Sequence, residues 1–267
     1  MSSDQVKFSR QDNVAVITLA RPEARNALTP DMVADLGRAL QSCGSPDVRA
    51  VLITGSGGAF CAGADVKELV NQLDQNGPEG LSQHLGDLAG TLHREVILPI
   101  RRLPKPVVAG VNGVAAGAGL SLALACDLRV ASSEARFLMA YANIGGTADG
   151  GSSYLLPRLV GLGRAMEIYL ASQPLSAQRA LELGLVGQVV PAEEFDRHVL
   201  ETTVRLAQGP TLAYGQVKAL FDRAWDADLA SQLDAEAEAI RGIGLTRDFQ
   251  EGIRAFAQRR QPWFRGR

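Results

Sequence analysis

The chain has 267 residues, with 27 Lys and Arg against 29 Asp and Glu and a formal charge of −2 at neutral pH. That balance excludes a nucleic-acid surface built on clustered Lys and Arg. A chain of this length buries roughly 70–75% of its unfolded surface, so its core needs neither disulfides nor a metal. Cys43, Cys61 and Cys126 are odd in number and far apart, which excludes a disulfide scaffold, gives no zinc spacing and fits a reducing compartment.

Met1 to Arg10 is polar and lacks the apolar run of a secretory signal, so a cytoplasmic protein is expected. Val14 to Leu19 is short and β-branched after Asp12-Asn13, which predicts a strand leaving a hairpin turn. Thr29-Pro30-Asp31 supplies an N-cap hydroxyl, Pro at the first helical position and an acid in the first turn. Met32, Val33, Leu36, Ala39 and Leu40 then recur at helical spacing. Arg49 to Thr54 reads as a strand running into the loop Gly55-Ser56-Gly57-Gly58. One helix is predicted after Asp65 and a longer one over Leu81 to Arg101.

Val107 to Cys126 carries no charge and is long enough to test as a membrane span. Asn112-Gly113 and the glycines at 110, 117 and 119 interrupt it, which predicts a buried strand, turn and helix instead. Leu128 to Ala131 is a further strand, and a helix is expected near Ser152. From Ala192 the chain is helical, with breaks near Gly209-Pro210 and Gly242-Ile243-Gly244. Strands alternate with helices over the first two-thirds, which predicts an α/β core over residues 1–191 and a helical C-terminal region over 192–267. Leu212, Val217, Leu220, Phe221 and Trp225 are expected to be buried in the ordinary way. Phe256, Trp263 and Phe264 have little chain left to cover them, so a neighbouring subunit is expected to do so.

Two glycine loops carry the chemistry. Phe60-Cys61-Ala62-Gly63-Ala64-Asp65 and Asn112 to Gly119 each connect a strand to a helix. Small residues there let backbone N–H groups approach a ligand, and a helix N-terminus adds positive potential. Facing each other, the two loops would offer two N–H donors to one oxygen, an oxyanion hole. Neither is a nucleotide motif: Gly55-Ser56-Gly57-Gly58 lacks the following Gly-Lys-Ser/Thr, and Gly117-Ala118-Gly119 lacks the third glycine and distal acid of a dinucleotide site.

In this order and spacing the loops resemble those of the crotonase superfamily, the enoyl-CoA hydratases and isomerases. Arg21-Pro22 with Asn26-Ala27, Phe60 through Glu68 and Pro106 through Asp127 carry the resemblance. So do Gly150-Gly151-Ser152, Ala180 through Val186, and Glu251-Gly252 with Ala255-Phe256 and Arg260. The resemblance implies a spiral of ββα units, assembled as a trimer or hexamer through C-terminal helices. It places the oxyanion N–H groups on Ala64 and Ala118, the second of which is usually glycine in the family. It implies an adenine pocket lined by Ala62, Ala64 and Val66 with Asp65 beside it, and Arg25 and Lys67 near the CoA phosphates. It implies no cofactor or metal beyond the coenzyme A of the substrate.

The departures narrow the chemistry. A hydratase of this family uses two glutamates around a water, and the matching positions here hold Ser121 and Tyr141. Neither replaces a water-activating carboxylate pair. Asp149, in Gly145 through Ser153, is similar to the single acid of some enoyl-CoA isomerases. It is also similar to the nucleophilic aspartate of the 4-chlorobenzoyl-CoA dehalogenases, which carry an aromatic where this chain has Tyr141. Those dehalogenases activate water with a histidine on the helix before the second loop. The matching position here is Arg94, and a residue on a helix is turned by about 100° from its neighbour, so His93 is expected to be structural, as are His84 and His198.

The resemblance therefore implies isomerisation of an enoyl-CoA through Asp149, with Tyr141 against the substrate. Dehalogenase-like nucleophilic chemistry at Asp149, and a non-catalytic member that binds acyl-CoA or RNA, are the alternatives.

Overall fold

A computed structural model describes residues 5–267. The chain opens with strand β1 (Val6–Gln11), a tight hairpin at Asp12-Asn13, strand β2 (Val14–Leu19) and helix α1 (Pro30–Ser42). Thr29 caps α1 by accepting the Met32 N–H on its hydroxyl, and Met32, Val33, Leu36 and Leu40 are buried as their spacing predicts. Strands β3 (Ala50–Gly55) and β4 (Ala59–Cys61) lead to helix α2 (Val66–Leu92) and helix α3 (Leu98–Arg102). Strands β5 (Val107–Val111) and β6 (Val114–Ala116) lead to α4 (Ala118–Ala125), and β7 (Leu128–Ser132) and β8 (Arg136–Leu138) lead to α5 (Ser152–Val160) and α6 (Leu162–Ala171).

In these repeats the first strand joins one sheet and the second joins another. With the closing elements β9 (Leu175–Ser176), α7 (Ala177–Glu182) and β10 (Gln188–Val190), the large sheet runs β1-β2-β3-β5-β7-β10 and the small one β4-β6-β8-β9. β3, β5 and β7 pair in parallel, as do β4, β6 and β8. Each turn of chain therefore stacks on the turn before it, a spiral of ββα units. Ile17, Ile53, Phe60, Leu120, Leu122 and Phe137 are fully buried in its core. Each contributes about 1.5–3 kcal/mol on leaving water.

Every residue of α4 is buried, which accounts for the uncharged stretch from Val107. No helix among the described residues is long and apolar enough to cross a membrane.

The two helices expected after Asp65 and from Leu81 are present, and the break between them lies earlier than expected. α2 continues past Leu81, and its break falls at Gly77, whose φ of 69° and ψ of −173° leave the helical region just before Pro78. His93–Ile97 then forms a π-helical turn, closed by the Leu98 N–H on the His93 carbonyl.

Beyond residue 191 come helices α8 (Phe195–Ala207), α9 (Thr211–Arg223), α10 (Leu229–Gly244) and α11 (Arg247–Ala257). The break at Gly209-Pro210 falls between α8 and α9, while a further break, capped by Asp228, separates α9 from α10. α8 lies on the large sheet, its Phe195 and Val199 packed against Leu52, Val108 and Val130. Lys218 on α9 reaches the Asp127 carboxylate at 2.8 Å and the Ile100 carbonyl at 2.7 Å, tying the C-terminal helices to the core. The expected burial of the apolar set on and just after α9 does not hold: Phe221 is 70% and Trp225 60% exposed, because no element among the described residues buries them. Phe256 and Trp263 are exposed too, and Phe264 tucks against Gly252.

Candidate active site

The first loop is held open by its neighbours. Arg25 and Asn26 both take left-handed conformations, and the buried Asn26 side chain donates to the carbonyls of Ser56 and Ala59. The Arg25 carbonyl accepts the Ala62 N–H at 3.0 Å. Leu28 then bridges Ala64 in parallel: its N–H donates to the Gly63 carbonyl and its carbonyl accepts the Asp65 N–H. A parallel bridge uses the residues flanking its centre, so the N–H and C=O of Ala64 itself point away from Leu28. Among the described residues the Ala64 N–H has no acceptor.

The second loop ends at Gly117, whose N–H donates to the Leu138 carbonyl and whose own carbonyl opens α4 by accepting the Ser121 N–H. Ala118 is the first residue of that helix, where backbone N–H groups lack intrahelical acceptors. Its N–H likewise has no acceptor among the described residues. The loops touch. A Cβ at Gly63 would lie 2.9 Å from the Ala116 carbonyl oxygen and 3.4 Å from the Ala118 nitrogen, and one at Gly119 would lie 2.1 Å from the Cys61 oxygen. Only glycine permits that approach, and it sets two unpaired donors side by side at a buried helix N-terminus.

The wall beside the loops is built on Tyr141. Its hydroxyl accepts from Ser121 Oγ at 3.1 Å and donates to the Asp149 carbonyl, and the single Ser121 proton has the Gly117 carbonyl as its alternative acceptor. Ser121, Tyr141 and the Asp149 backbone thus form one hydrogen-bonded chain, and Ser152 Oγ donates to the same Asp149 carbonyl at 2.8 Å. Burial raises the Tyr141 pKa; the Ser121 hydrogen bond opposes this and the Asp149 charge adds to it. At neutral pH Tyr141 is a neutral hydrogen-bonding group and no base.

The Asp149 side chain meets a partner that the sequence does not predict: His93 Nε2 lies 2.6 Å from Asp149 Oδ1. The expectation that His93 is structural assumes a regular helix at 100° per residue. The π-helical turn inserts a residue into that count, and His93, not Arg94, comes to face the site. A largely apolar cavity of about 330 Å³ abuts the Asp149 loop, lined by Met139, Thr147, Ala148, Ser152, Leu156 and Tyr169 among others.

The remaining predicted residues separate by role. Ala62, Ala64 and Val66 share the first loop and its exit, with Val66 exposed. Asp65 is occupied structurally: it caps α2 through the Lys67 N–H and pairs with Arg21 at 3.0 Å. Arg21 also donates to the Ala27 carbonyl, fastening the arginine-led motif to the loop. The Arg25 and Lys67 side chains are exposed beside the same loop. His84 lies 3.6 Å from Glu68 across the α2 kink, and His198 bonds Gln188.

A parallel spiral of ββα units whose two glycine loops touch is the crotonase fold. Residues 9–267 match the family model for enoyl-CoA hydratase/isomerase. The chain is 38% identical over the full length of both chains to a Rhodobacter capsulatus protein named "Probable enoyl-CoA hydratase". It is 37% identical to the 1,2-epoxyphenylacetyl-CoA isomerase of Escherichia coli, over 96% of this chain and 97% of that one. A crystal structure of an enoyl-CoA hydratase from Polaromonas sp. JS666 superposes with a TM-score of 0.89 at 37% identity, covering 97% of this chain and 99% of that chain. The chain belongs to the enoyl-CoA hydratase/isomerase family, enzymes that act on CoA thioesters.

Proposed function

We propose that this family member shifts the double bond of an enoyl-CoA, with Asp149 carrying the proton. The observation that carries the reading is the exchange of carboxylates: hydroxyl groups of Ser121 and Tyr141 meet at the hydratase positions, while Tyr141 reaches the backbone carbonyl of Asp149, whose carboxylate lies against His93. The thioester oxygen would sit between the Ala64 and Ala118 N–H groups. Asp149 takes the proton on C2 of a 3-enoyl-CoA, and the C–H electrons delocalise onto that oxygen as a dienolate. Collapse of the dienolate then takes the proton back at C4, giving the 2-enoyl-CoA. Electrons and protons balance with no redox cofactor, and the coenzyme A belongs to the substrate. The backbone donors are fixed before charge develops, which is the condition under which such a hole lowers the barrier. That a relative at 37% identity is named as a CoA-thioester isomerase supports the reading.

Ala62, Ala64 and Val66 would line the adenine site, Arg25 and Lys67 would meet the CoA phosphates, and Tyr141 would contact the acyl group. The His93–Asp149 contact favours a second reading, in which Asp149 attacks an aryl- or acyl-CoA and His93 activates the water that releases the product. A panel of CoA esters separates them: double-bond migration supports the first reading, and halide release from a halobenzoyl-CoA supports the second.

The assembly we propose is a trimer or hexamer. The exposed Phe221, Trp225, Phe256 and Trp263 lie on the C-terminal helices and tail, a concentration of apolar side chains that marks a protein interface. Light scattering at micromolar concentration is expected to give three or six subunits, and a uniform monomer overturns this.

A further inference from the structure

Asp149 is held unevenly. Its Oδ1 takes both of its donors, His93 Nε2 at 2.6 Å and the Gly150 N–H at 2.6 Å. Its Oδ2 has no hydrogen-bond partner among the described residues, and the side chain is 28% exposed. The two oxygens are therefore different groups: one is an anchor and the other is free to meet a substrate carbon. The Gly150 N–H is 3.2 Å from His93 Nε2 as well, which is a donor facing a donor once Nε2 is protonated, so its hydrogen bond goes to Oδ1.

The His93 ring owes its place to the π-helical turn. Leu92, Val96, Ile97 and Ile100 fix this helix in the core. With the Leu98 N–H closing on the His93 carbonyl, five residues on, the turn between those anchors is one residue wider than an α-turn. The turn sets the His93 ring against Oδ1, while the neighbouring Arg94 is exposed. Such irregular turns recur at functional sites.

We propose that His93 is the positioning residue of Asp149: Nε2–H donates to Oδ1, anchors that oxygen, and leaves Oδ2 free for the substrate. The proposal rests on Asp149 acting as the proton shuttle. A hydrogen bond to a carboxylate is about twice as strong as a neutral one. It fixes two torsions of a side chain otherwise half free, and a base misplaced by a fraction of an ångström loses much of its rate.

The test compares His93→Leu, which removes the donor, with His93→Gln, whose amide can restore it, in 3-enoyl-CoA isomerisation. His93→Leu is expected to lower kcat roughly 10- to 100-fold, the scale of one charge-assisted hydrogen bond, with KM changed less than about twofold. His93→Gln is expected to recover most of kcat. Unchanged kcat in His93→Leu, or equal losses in both variants, overturns the proposal. A wild type that shifts no double bond overturns the isomerase reading separately. In that case the pairing is read by NMR of histidine-labelled protein. A protected Nε2–H signal that disappears in Asp149→Ala supports the positioning role, and its absence from the wild type overturns it.

Discussion

Ser121 Oγ and Tyr141 Oη lie 3.1 Å apart and hydrogen-bond each other at the two positions where the resemblance places a hydratase's glutamates. A water held there meets two neutral hydroxyl groups and no general base. Hydration of crotonyl-CoA, followed as 3-hydroxyacyl-CoA by mass spectrometry, is therefore expected to run at least about 100-fold below isomerisation, the low end of what a general base supplies. Tyr141→Phe is expected to keep the isomerase reaction. It should lose about 0.5–1.5 kcal/mol of stability, because the Asp149 carbonyl loses one neutral hydrogen bond while the Ser121 hydroxyl can turn to the Gly117 carbonyl.

The oxyanion hole has a test that spares the fold. Ala118 is the first residue of α4, a position that proline tolerates because its N–H makes no intrahelical bond. Ala118→Pro deletes one donor and places ring carbon where the thioester oxygen would rest. We expect kcat/KM to fall by at least about 10²–10³-fold, the scale for loss of one such donor, at a nearly unchanged Tm.

Stability should depend heavily on Lys218. Burial raises the Asp127 pKa and lowers that of Lys218, in each case against the opposing pull of the partner, so both charges are costly to keep inside. The Lys218 side chain is 9% and the Asp127 side chain 17% exposed. Lys218→Met leaves the carboxylate with the Val107 N–H at 2.8 Å and Arg101 as its remaining ion-pair partner at 3.5 Å, and about 3–5 kcal/mol should be lost in urea unfolding. Adding Asp127→Leu is expected to restore part of that loss, because the unpaired charge is gone.

The sequence made some of this legible because the signals are local. The Thr29-Pro30-Asp31 start of α1, the helix start near Ser152 and the two glycine loops each declare themselves within a few residues, and the carboxylate at Asp149 stands out against the missing glutamates. The three-residue strands β4, β6 and β8 are too short for an alternation pattern, and only their stacking in the spiral makes them strands. His93 escaped for a different reason. Its position depends on one widened helical turn, which residue spacing at 3.6 per turn does not anticipate. Asp65 shows the converse, since the resemblance sets it beside the adenine pocket. Its pairing with Arg21, 44 residues away, is visible only once the loop has folded. The apolar face of α9 was misassigned because spacing shows that a face is apolar and cannot show whether this chain covers it.

Whether the free oxygen of Asp149 moves the proton is measured directly by 3-enoyl-CoA isomerisation with Asp149→Asn beside the wild type. Asparagine keeps the size and the hydrogen-bonding reach but cannot take a proton. The account predicts a fall in kcat of about 10²–10⁴-fold with CoA-ester binding little changed, since the oxyanion donors are backbone groups. Ser121→Ala, at the empty hydratase position, should cost far less. An Asp149→Asn enzyme that isomerises at the wild-type rate contradicts the account.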